Sequence, residues 1–315
     1  MVPKLSVEVT SETNGRVAAI VVNYNAADHL ARCLSSLQNE GIETTVVVDN
    51  ASTDGSHDVA GRADATWVET GANLGYGRAA NLGSLEPAAA PAEMLLVANP
   101  DVEVCPRAVA ALVSALDADP ALGIVGPKIL NPDGSVYPSA RTFPGLVDAI
   151  GHGLLGMVAP RNRFTRRYRL LDWDHRKPAR VDWVSGACFL IRRETWDRLG
   201  GFDPAYFMYM EDVDLCWRAR AAGYEVGYEP GAEVIHVQGV SAHRHPYRML
   251  AAHHRSMWLF AKRTAAGPAR LALPLVGVGL AARLVAASAW HRLAPVRLSS
   301  PEGPATGGPL SRPLP

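Results

Sequence analysis

Val17-Ala-Ala-Ile-Val-Val-Asn-Tyr-Asn25 is the stretch whose reading decides the fold. Residues 17–22 form an unbroken, largely β-branched apolar run without alternation, which suits a strand buried on both faces. Polar Asn23, Tyr24 and Asn25 end it, and Asp28 stands where it can cap a helix carrying Leu30, Leu34 and Leu37 on one stripe. Residues 44–48 read as a second strand ending at Asp49, 66–68 as a third, and 94–98 as a fourth that closes on Asn99-Pro-Asp101. Helical patterns fall around 78–85 and 106–116. This alternation predicts an α/β chain with a mostly parallel central sheet and crossover helices. Ligands of such sheets bind outside the carboxyl ends of the strands. Asn23, Tyr24, Asn25, Asp49, Asn50, Asn99 and Asp101 all stand there.

The second half has a different texture. Residues 181–192 read as a strand interrupted by Ser185-Gly-Ala187, where glycine allows a close approach of backbone or ligand. Two short strands are expected at 225–228 and 233–237, with Pro230-Gly231 as the turn between them. The predicted organisation is a tail at 1–15 and a continuous domain at 16–262, with a nucleotide-binding half at 16–105 and an acceptor half at 106–262. A helical extension at 263–292 and a disordered Pro/Gly/Ser-rich tail at 293–315 follow.

Composition narrows the classes. Lys+Arg and Asp+Glu are equal at 31 each among 315 residues, so no global field favours nucleic acid. The basic residues are nevertheless clustered. One stretch holds Arg161, Arg163, Arg166, Arg167, Arg169, Arg176, Lys177 and Arg180, and another His243, Arg244, His245, Arg248, His253, His254 and Arg255. Either is a solvated surface or faces phosphate or an anionic membrane. The four cysteines (33, 105, 188, 216) form no CxxC pair, which argues against a zinc ribbon or disulfide scaffold and suits a reducing cytoplasm. The first fifteen residues lack the apolar core of a secretory signal. Residues 271–290 are apolar but contain Pro274, Gly277, Gly279 and Arg283, which favours an interfacial or buried helix over a span.

Several constellations carry chemistry. Tyr209-Met-Glu-Asp-Val-Asp-Leu-Cys-Trp-Arg218 places Glu211, Asp212 and Asp214 between aromatic residues and an amphipathic helix. Such carboxylates can serve as a general base. Equally, Asp212 can cap a helix with Leu215, Cys216 and Ala219 inward, Asp214 paired to Arg218, and Gly223 as the stop. Asp49-Asn-Ala-Ser-Thr-Asp-Gly-Ser56 offers an acid for a base or ribose, or an Asx turn. Gly71-Ala-Asn-Leu-Gly-Tyr-Gly-Arg-Ala-Ala-Asn81 is a glycine-rich loop opening a helix, where backbone amides and Arg78 can meet phosphate; it is neither a Walker A loop nor GxGxxG. Asp101 beside Asn99 can hold a hard cation through oxygen while a diphosphate completes the shell, and His236 is a candidate further ligand or a structural histidine. The loose set His243, His245, His253 and His254 has no cysteine partners to make a zinc site.

Taken in order, these pieces resemble the family 2 glycosyltransferases of the GT-A fold over residues 16–262. The matching stretches are Val21-Val-Asn-Tyr-Asn25, Val48-Asp-Asn-Ala-Ser-Thr-Asp-Gly55, Asn73-Leu-Gly-Tyr-Gly77 with Asn81, Asn99-Pro-Asp101, Ser185-Gly-Ala187, Glu211-Asp212 and His236. The resemblance implies a Rossmann-like nucleotide-diphospho-sugar transferase that inverts configuration. It implies nucleotide-sugar contacts from Asn23, Tyr24, Asn25, Asp49, Asn50, Asn73, Gly75, Arg78, Asn81 and Asn99, with Mg²⁺ or Mn²⁺ on Asp101 and His236. Asp212 is implied as base, with Gly186, Ala187 and Glu211 facing the acceptor. The first acid of the family's metal motif is Asn99 here. Residues 186–236 resemble most the bacterial rhamnosyltransferase branch, which implies dTDP-L-rhamnose as donor and polyprenyl-diphosphate-linked GlcNAc, or another cell-wall or polysaccharide acceptor, at the cytoplasmic face of the plasma membrane. A UDP-sugar donor with galactofuranosyl, glucosyl or GlcNAc transfer is the alternative within the family. An oxidoreductase is disfavoured by the missing GxGxxG; a non-catalytic nucleotide-sugar-binding protein is the remaining contrast.

Overall fold

The computed structural model describes residues 15–143, 162, 163, 166, 170, 173–237 and 246–293. Arg161, Arg167, Arg169, His243, Arg244, His245 and the expected tails at 1–15 and 293–315, apart from Gly15 and Leu293, lie outside the described residues. Strands β1 (Val17–Asn23), β2 (Thr44–Asp49), β3 (Thr66–Glu69) and β4 (Met94–Ala98) pair in parallel in the order β3-β2-β1-β4. The alternation of Cβ directions sends Ala18, Ile20 and Val22 into one core layer and Val17, Ala19 and Val21 into the other. Both layers are buried, which is why β1 reads as a continuous apolar run.

Crossovers are α1 (Ala27–Asn39), α2 (Ser56–Arg62) and α3 (Tyr76–Ser84). In α1, Leu30, Cys33, Leu34 and Leu37 are buried on one stripe. Burial of each leucine contributes roughly 1.5–3 kcal/mol. The expected cap is corrected: Asp28 lies inside the first turn, and Asp54 from the loop after β2 accepts the Ala27 amide at 3.0 Å. Helix α3 starts earlier than its pattern suggests, at Tyr76, because Gly75 adopts φ +89° and opens the helix directly from the glycine loop.

Beyond β4 the sheet becomes mixed. The remaining elements are β5 (Val102–Val104), α4 (Ala108–Ala118), β6 (Leu122–Leu130), β7 (Val136–Tyr137), β8 (Ala140–Arg141), β9 (Ala179–Val181), β10 (Trp183–Val184) and β11 (Cys188–Arg192). They are followed by α5 (Arg193–Leu199), α6 (Glu211–Ala221), β12 (Glu225–His236), α7 (Pro246–Thr264) and α8 (Leu273–Leu293). Strand β11 inserts antiparallel between β4 and β6, β12 runs parallel to β6, and β5 closes the order against β12. Helix α4 begins at a left-handed Arg107, and the buried Glu40 carboxylate accepts the amides of Arg107 and Val109 at 2.7 and 3.0 Å. A carboxylate there satisfies orphan helix amides and the positive end of the dipole.

Two expectations are revised. Residues 181–192 are not one strand: β10 pairs with β8 in a small second sheet, β11 joins the main sheet, and residues 185–187 cross between them. The two strands expected at 225–237 are one strand, β12. Its register on β6 jumps between Glu229 and Glu233, so Pro230-Gly231 is a bulge and not a reversal. A single continuous partner, β6, holds both halves in the same direction.

At the C-terminal end, α7 belongs to the body of the fold. Phe260 enters the core, Ser256 Oγ donates to the Met208 carbonyl at 2.9 Å, and Arg263 donates to buried Asp214 at 2.8 Å. Helix α8 packs against α7 but exposes Leu275, Val278 and Val285, as does Leu271 just before it, so the buried-helix alternative for this segment is overturned. Residues Gly267–Ala289 are long and apolar enough to cross a membrane, and that apolar window is not buried in the protein.

Candidate active site

The carboxyl ends of β1 and β2 make the first part of the site. Asn23 and Asp49 are opposite each other in the parallel ladder, and Asn23 Nδ2 donates to Asp49 Oδ1 at 2.8 Å. Asp49 also accepts the Ser52 amide at 2.7 Å and the Ser52 hydroxyl. With the amide nitrogen committed, Asn23 Oδ1 is left buried without a partner among the described residues. A buried acceptor of this kind calls for a donor. Asn25, at φ +51°, fixes the next loop by accepting the Thr53 amide at 2.8 Å, while Tyr24 stands half-buried between these two asparagines.

The glycine loop is drawn to the same place from inside the protein. Asn50 accepts the Leu74 amide and donates to the Gly75 carbonyl, and Asn73 accepts the Gly75 amide at 3.0 Å. A side chain at Gly75 would start 2.0 Å from the Phe207 carbonyl oxygen, so the approach of this loop to residues 206–210 requires glycine. Arg78 and Asn81 are used structurally. Arg78 donates to the Pro204 carbonyl at 2.7 Å, and Asn81 both donates to and accepts from the Phe202 backbone.

The second part of the site lies where β4 ends and β12 ends. Residues 102 and 236 are ladder partners, and this brings Asp101 Oδ1 to 3.2 Å from His236 Nε2, with Asn99 Nδ2 at 3.3 Å from the same nitrogen. Asp101 and His236 are both buried, and the other ring nitrogen of His236, Nδ1, has no partner among the described residues. No group of three or more His, Cys, Asp or Glu able to hold a metal occurs among the described residues. One carboxylate oxygen and one imidazole nitrogen converging in this way fit a divalent cation that takes its other ligands from a diphosphate.

The third part is the start of α6. Tyr209 and Met210 both sit at left-handed φ, +66° and +68°, immediately before Glu211. Two such residues in succession store strain that the surrounding packing must hold. The helix begins at Glu211, so the expectation that Asp212 caps it is corrected: Asp212 lies in the first turn, with the chain already helical. Its Oδ2 accepts the Gly186 amide at 2.8 Å and its Oδ1 the Val213 amide at 2.9 Å. Burial raises the Asp212 pKa; the amides of Gly186 and Val213 and the charge of Arg141 oppose that rise. Glu211 is more enclosed, with Oε2 buried and without a partner among the described residues, and burial followed by the charge on Asp212 pushes it up to about 8. Asp212 keeps a solvent-accessible side. The result is one carboxylate held in a fixed orientation by two amides beside one biased to its protonated form. Asp214 is fully buried and structural, bound by Arg218 at 2.7 Å, Arg263 at 2.8 Å and the Tyr206 hydroxyl at 3.3 Å.

Sequence reading passed over four contributors. Ser52 holds Asp49; Arg141, stacked 5.0 Å from the Trp183 ring centroid, supplies the cationic field on Asp212; Phe207 receives the glycine loop; Tyr76 reaches the Gly186 carbonyl. Tyr76 was visible inside the quoted glycine stretch, whereas Arg141 has no local pattern to mark it.

Mixed sheet, strand-end acids and paired carboxylates together define a nucleotide-sugar transferase of the GT-A class. A sequence model described as glycosyltransferase like family 2 matches residues 14–258, and the chain belongs to that family. It is 42% identical over 255 residues to the N-acetylglucosaminyl-diphospho-decaprenol L-rhamnosyltransferase of Mycobacterium tuberculosis, covering 76% of this chain and 82% of that one. Among solved structures, the mannosyltransferase PcManGT of Pyrobaculum calidifontis in complex with GDP-Man and Mn²⁺ superposes with a TM-score of 0.53 at 22% identity, over 87% of this chain and 75% of that one. GalNAc-T7 with UDP, GalNAc and Mn²⁺ gives a TM-score of 0.53 at 16% identity, over 71% of this chain and 43% of that one. These two likenesses establish the fold.

Proposed function

We propose that the chain is an inverting rhamnosyltransferase that moves L-rhamnose from dTDP-L-rhamnose to GlcNAc carried on a polyprenyl diphosphate. The observation that carries the chemistry is Asp212: a carboxylate oriented by two backbone amides and only partly buried. The relative from M. tuberculosis supports the choice of sugar and acceptor.

In this reading Asn23 Oδ1 accepts from the ring N–H of the nucleobase, and Asp49 organises the pocket around it. Asp101 and His236 would hold Mg²⁺ or Mn²⁺, which supplies neutralisation of charge on the departing nucleoside diphosphate. Asp212 removes the proton of the acceptor hydroxyl; that oxygen forms a bond to the anomeric carbon as the bond to the diphosphate oxygen breaks on the opposite face. One displacement inverts the configuration. Glu211, retaining its proton, can donate to an acceptor oxygen, and the Gly186–Ala187 backbone borders the same space.

The exposed apolar face of α8 and the basic residues of α7 suit peripheral contact with an anionic membrane on the cytoplasmic side, where a lipid-linked acceptor resides. The domain division at residue 262 is proposed in a weaker form, since Arg263 is tied to Asp214.

The test is donor binding and hydrolysis with dTDP-rhamnose, UDP-galactose and UDP-GlcNAc, with and without Mn²⁺. Stabilisation by dTDP-rhamnose alone is expected; a response confined to a UDP-sugar would move the reading to the alternative donor class. Asp212→Asn is expected to abolish transfer while sparing nucleotide binding, and near wild-type turnover in that variant removes Asp212 from the role of base.

A further inference from the structure

Tyr76 stands at the junction of three loops that sequence distance keeps far apart. Its amide donates to the Phe207 carbonyl at 3.1 Å, tying the start of α3 to the strained segment before Glu211. Its ring packs edge-on to Phe202 with centroids 5.8 Å apart, and the side chain is nearly enclosed. Its hydroxyl donates to the Gly186 carbonyl at 2.7 Å, a buried bond across 110 residues. The amide of that same residue, Gly186, donates to Asp212 Oδ2 at 2.8 Å.

We propose that Tyr76 is a positioning residue for the base: through the Gly186 backbone, its hydroxyl holds the amide that orients Asp212. The proposal rests on the reading of Asp212 as base and assigns the geometry of that base to a phenol on the donor side of the site. Three observations carry it. A carbonyl pinned by a buried hydroxyl fixes the loop on which the amide of the same residue lies. The space leaves no slack, because a Cβ at Gly186 would sit 3.0 Å from the Asp212 Cβ. The phenol is also a committed donor, since burial first and the nearby Glu211 carboxylate second raise its pKa well above the ordinary value. The glycine loop therefore does more than approach the donor: its tyrosine joins the donor half of the sheet to the base in the acceptor half.

The test is Tyr76→Phe, which keeps the ring against Phe202 and removes only the donor. Loss of one buried hydrogen bond corresponds to about a tenfold fall in kcat if its whole effect reaches the transition state. Donor KM is expected to change by less than about twofold, because no donor contact is removed. The amide of Gly186 holds the Asp212 pKa down, so a loosened amide lets it rise. The acid limb of the kcat–pH profile is therefore expected to move to higher pH. Wild-type kcat with a superimposable acid limb overturns the proposal. So does a lowered kcat with an unmoved acid limb, which marks a packing role. Thermal unfolding of the variant is measured alongside. If it does not fold, 3,5-difluorotyrosine at position 76, a stronger donor on the same ring, takes its place and is expected to move the acid limb to lower pH; no movement overturns the proposal. Failure of the base reading is separable, since it would show as retained turnover in Asp212→Asn.

Discussion

Asp101 Oδ1 and His236 Nε2 lie 3.2 Å apart although 135 residues separate them, because the end of β4 and the end of β12 are brought together by the pairing of β5 with β12. Neither residue has a third acidic or imidazole neighbour to complete a metal shell among the described residues. A pair of this kind would hold a divalent ion weakly without a diphosphate to complete the shell.

That relationship predicts strong interdependence of metal and donor. Loss of a partner that only orients a metal ligand costs about 10–100-fold in metal affinity, so His236→Ala should raise the Mn²⁺ concentration for half-maximal donor hydrolysis by about 100-fold or more. A metal titration of hydrolysis at saturating donor measures this, and an unchanged midpoint would remove His236 from the ligand set. Chelation of the wild type should abolish turnover, and added Mn²⁺ or Mg²⁺ should restore it.

Glu211 predicts a pH dependence of stability. Its pKa is pushed from 4.5 to about 8 in the folded protein, first by burial and then by the charge on Asp212. Between those values the folded state holds more protons than the unfolded one, so the contribution is complete below 4.5 and is lost as pH rises through about 8. Glu211→Gln removes this dependence. The variant's thermal midpoint should gain on the wild type steadily from about pH 5 to about pH 9. Parallel midpoints across that range would show that Glu211 is charged in the fold.

Arg218 predicts a stability defect distinct from the chemistry. It binds the fully buried Asp214 at 2.7 Å and also donates to the carbonyls of Leu199 and Gly201, both at 2.8 Å. Arg218→Met leaves Asp214 with Arg263 and Tyr206 as its remaining partners. Breaking one side of a buried ion pair costs about 3–5 kcal/mol, and retained Arg263 should keep the loss toward the lower figure. Urea denaturation measures it; a change below about 0.5 kcal/mol would place the pair among surface-like contacts.

The exposed face of α8 predicts lipid dependence. Leu275→Glu together with Val278→Glu replaces two exposed apolar side chains and touches no candidate site residue. Flotation with vesicles of phosphatidylcholine and phosphatidylglycerol should show reduced binding, while donor hydrolysis in solution remains at the wild-type level. Undiminished flotation would leave this face without a membrane role.

Much of the donor half is legible along the chain because its signals are local. A strand buried on both faces must be apolar throughout, and the polar residue that ends it must lie at the sheet's carboxyl edge; Val17–Asn23 and Met94–Ala98 obey both rules. Capping is less legible, since Asp54 is 27 residues from the helix start it serves and Asp28 is adjacent but one step too far inside. The continuity of β12 was hidden for a related reason: Pro230-Gly231 has the composition of a turn, and only the unbroken partner β6 makes it a bulge.

The amino-acid sequence by itself determined the class of this protein, a family 2 transferase with acids at strand ends and a carboxylate pair before a helix, because hydrophobic period and strand-end chemistry are properties of neighbouring residues. Tertiary structure alone decided what surrounds those acids, and the division of work proposed for them rests on it. Whether a carboxylate is a base, a proton-holder or a buried ion partner depends on burial, on which amides reach it and on where the nearest cation lies. For Asp212 those are the Gly186 amide and Arg141, for Glu211 enclosure beside Asp212, and for Asp214 Arg218 with Arg263. Most of these partners arrive from distant parts of the chain, and only packing brings them together.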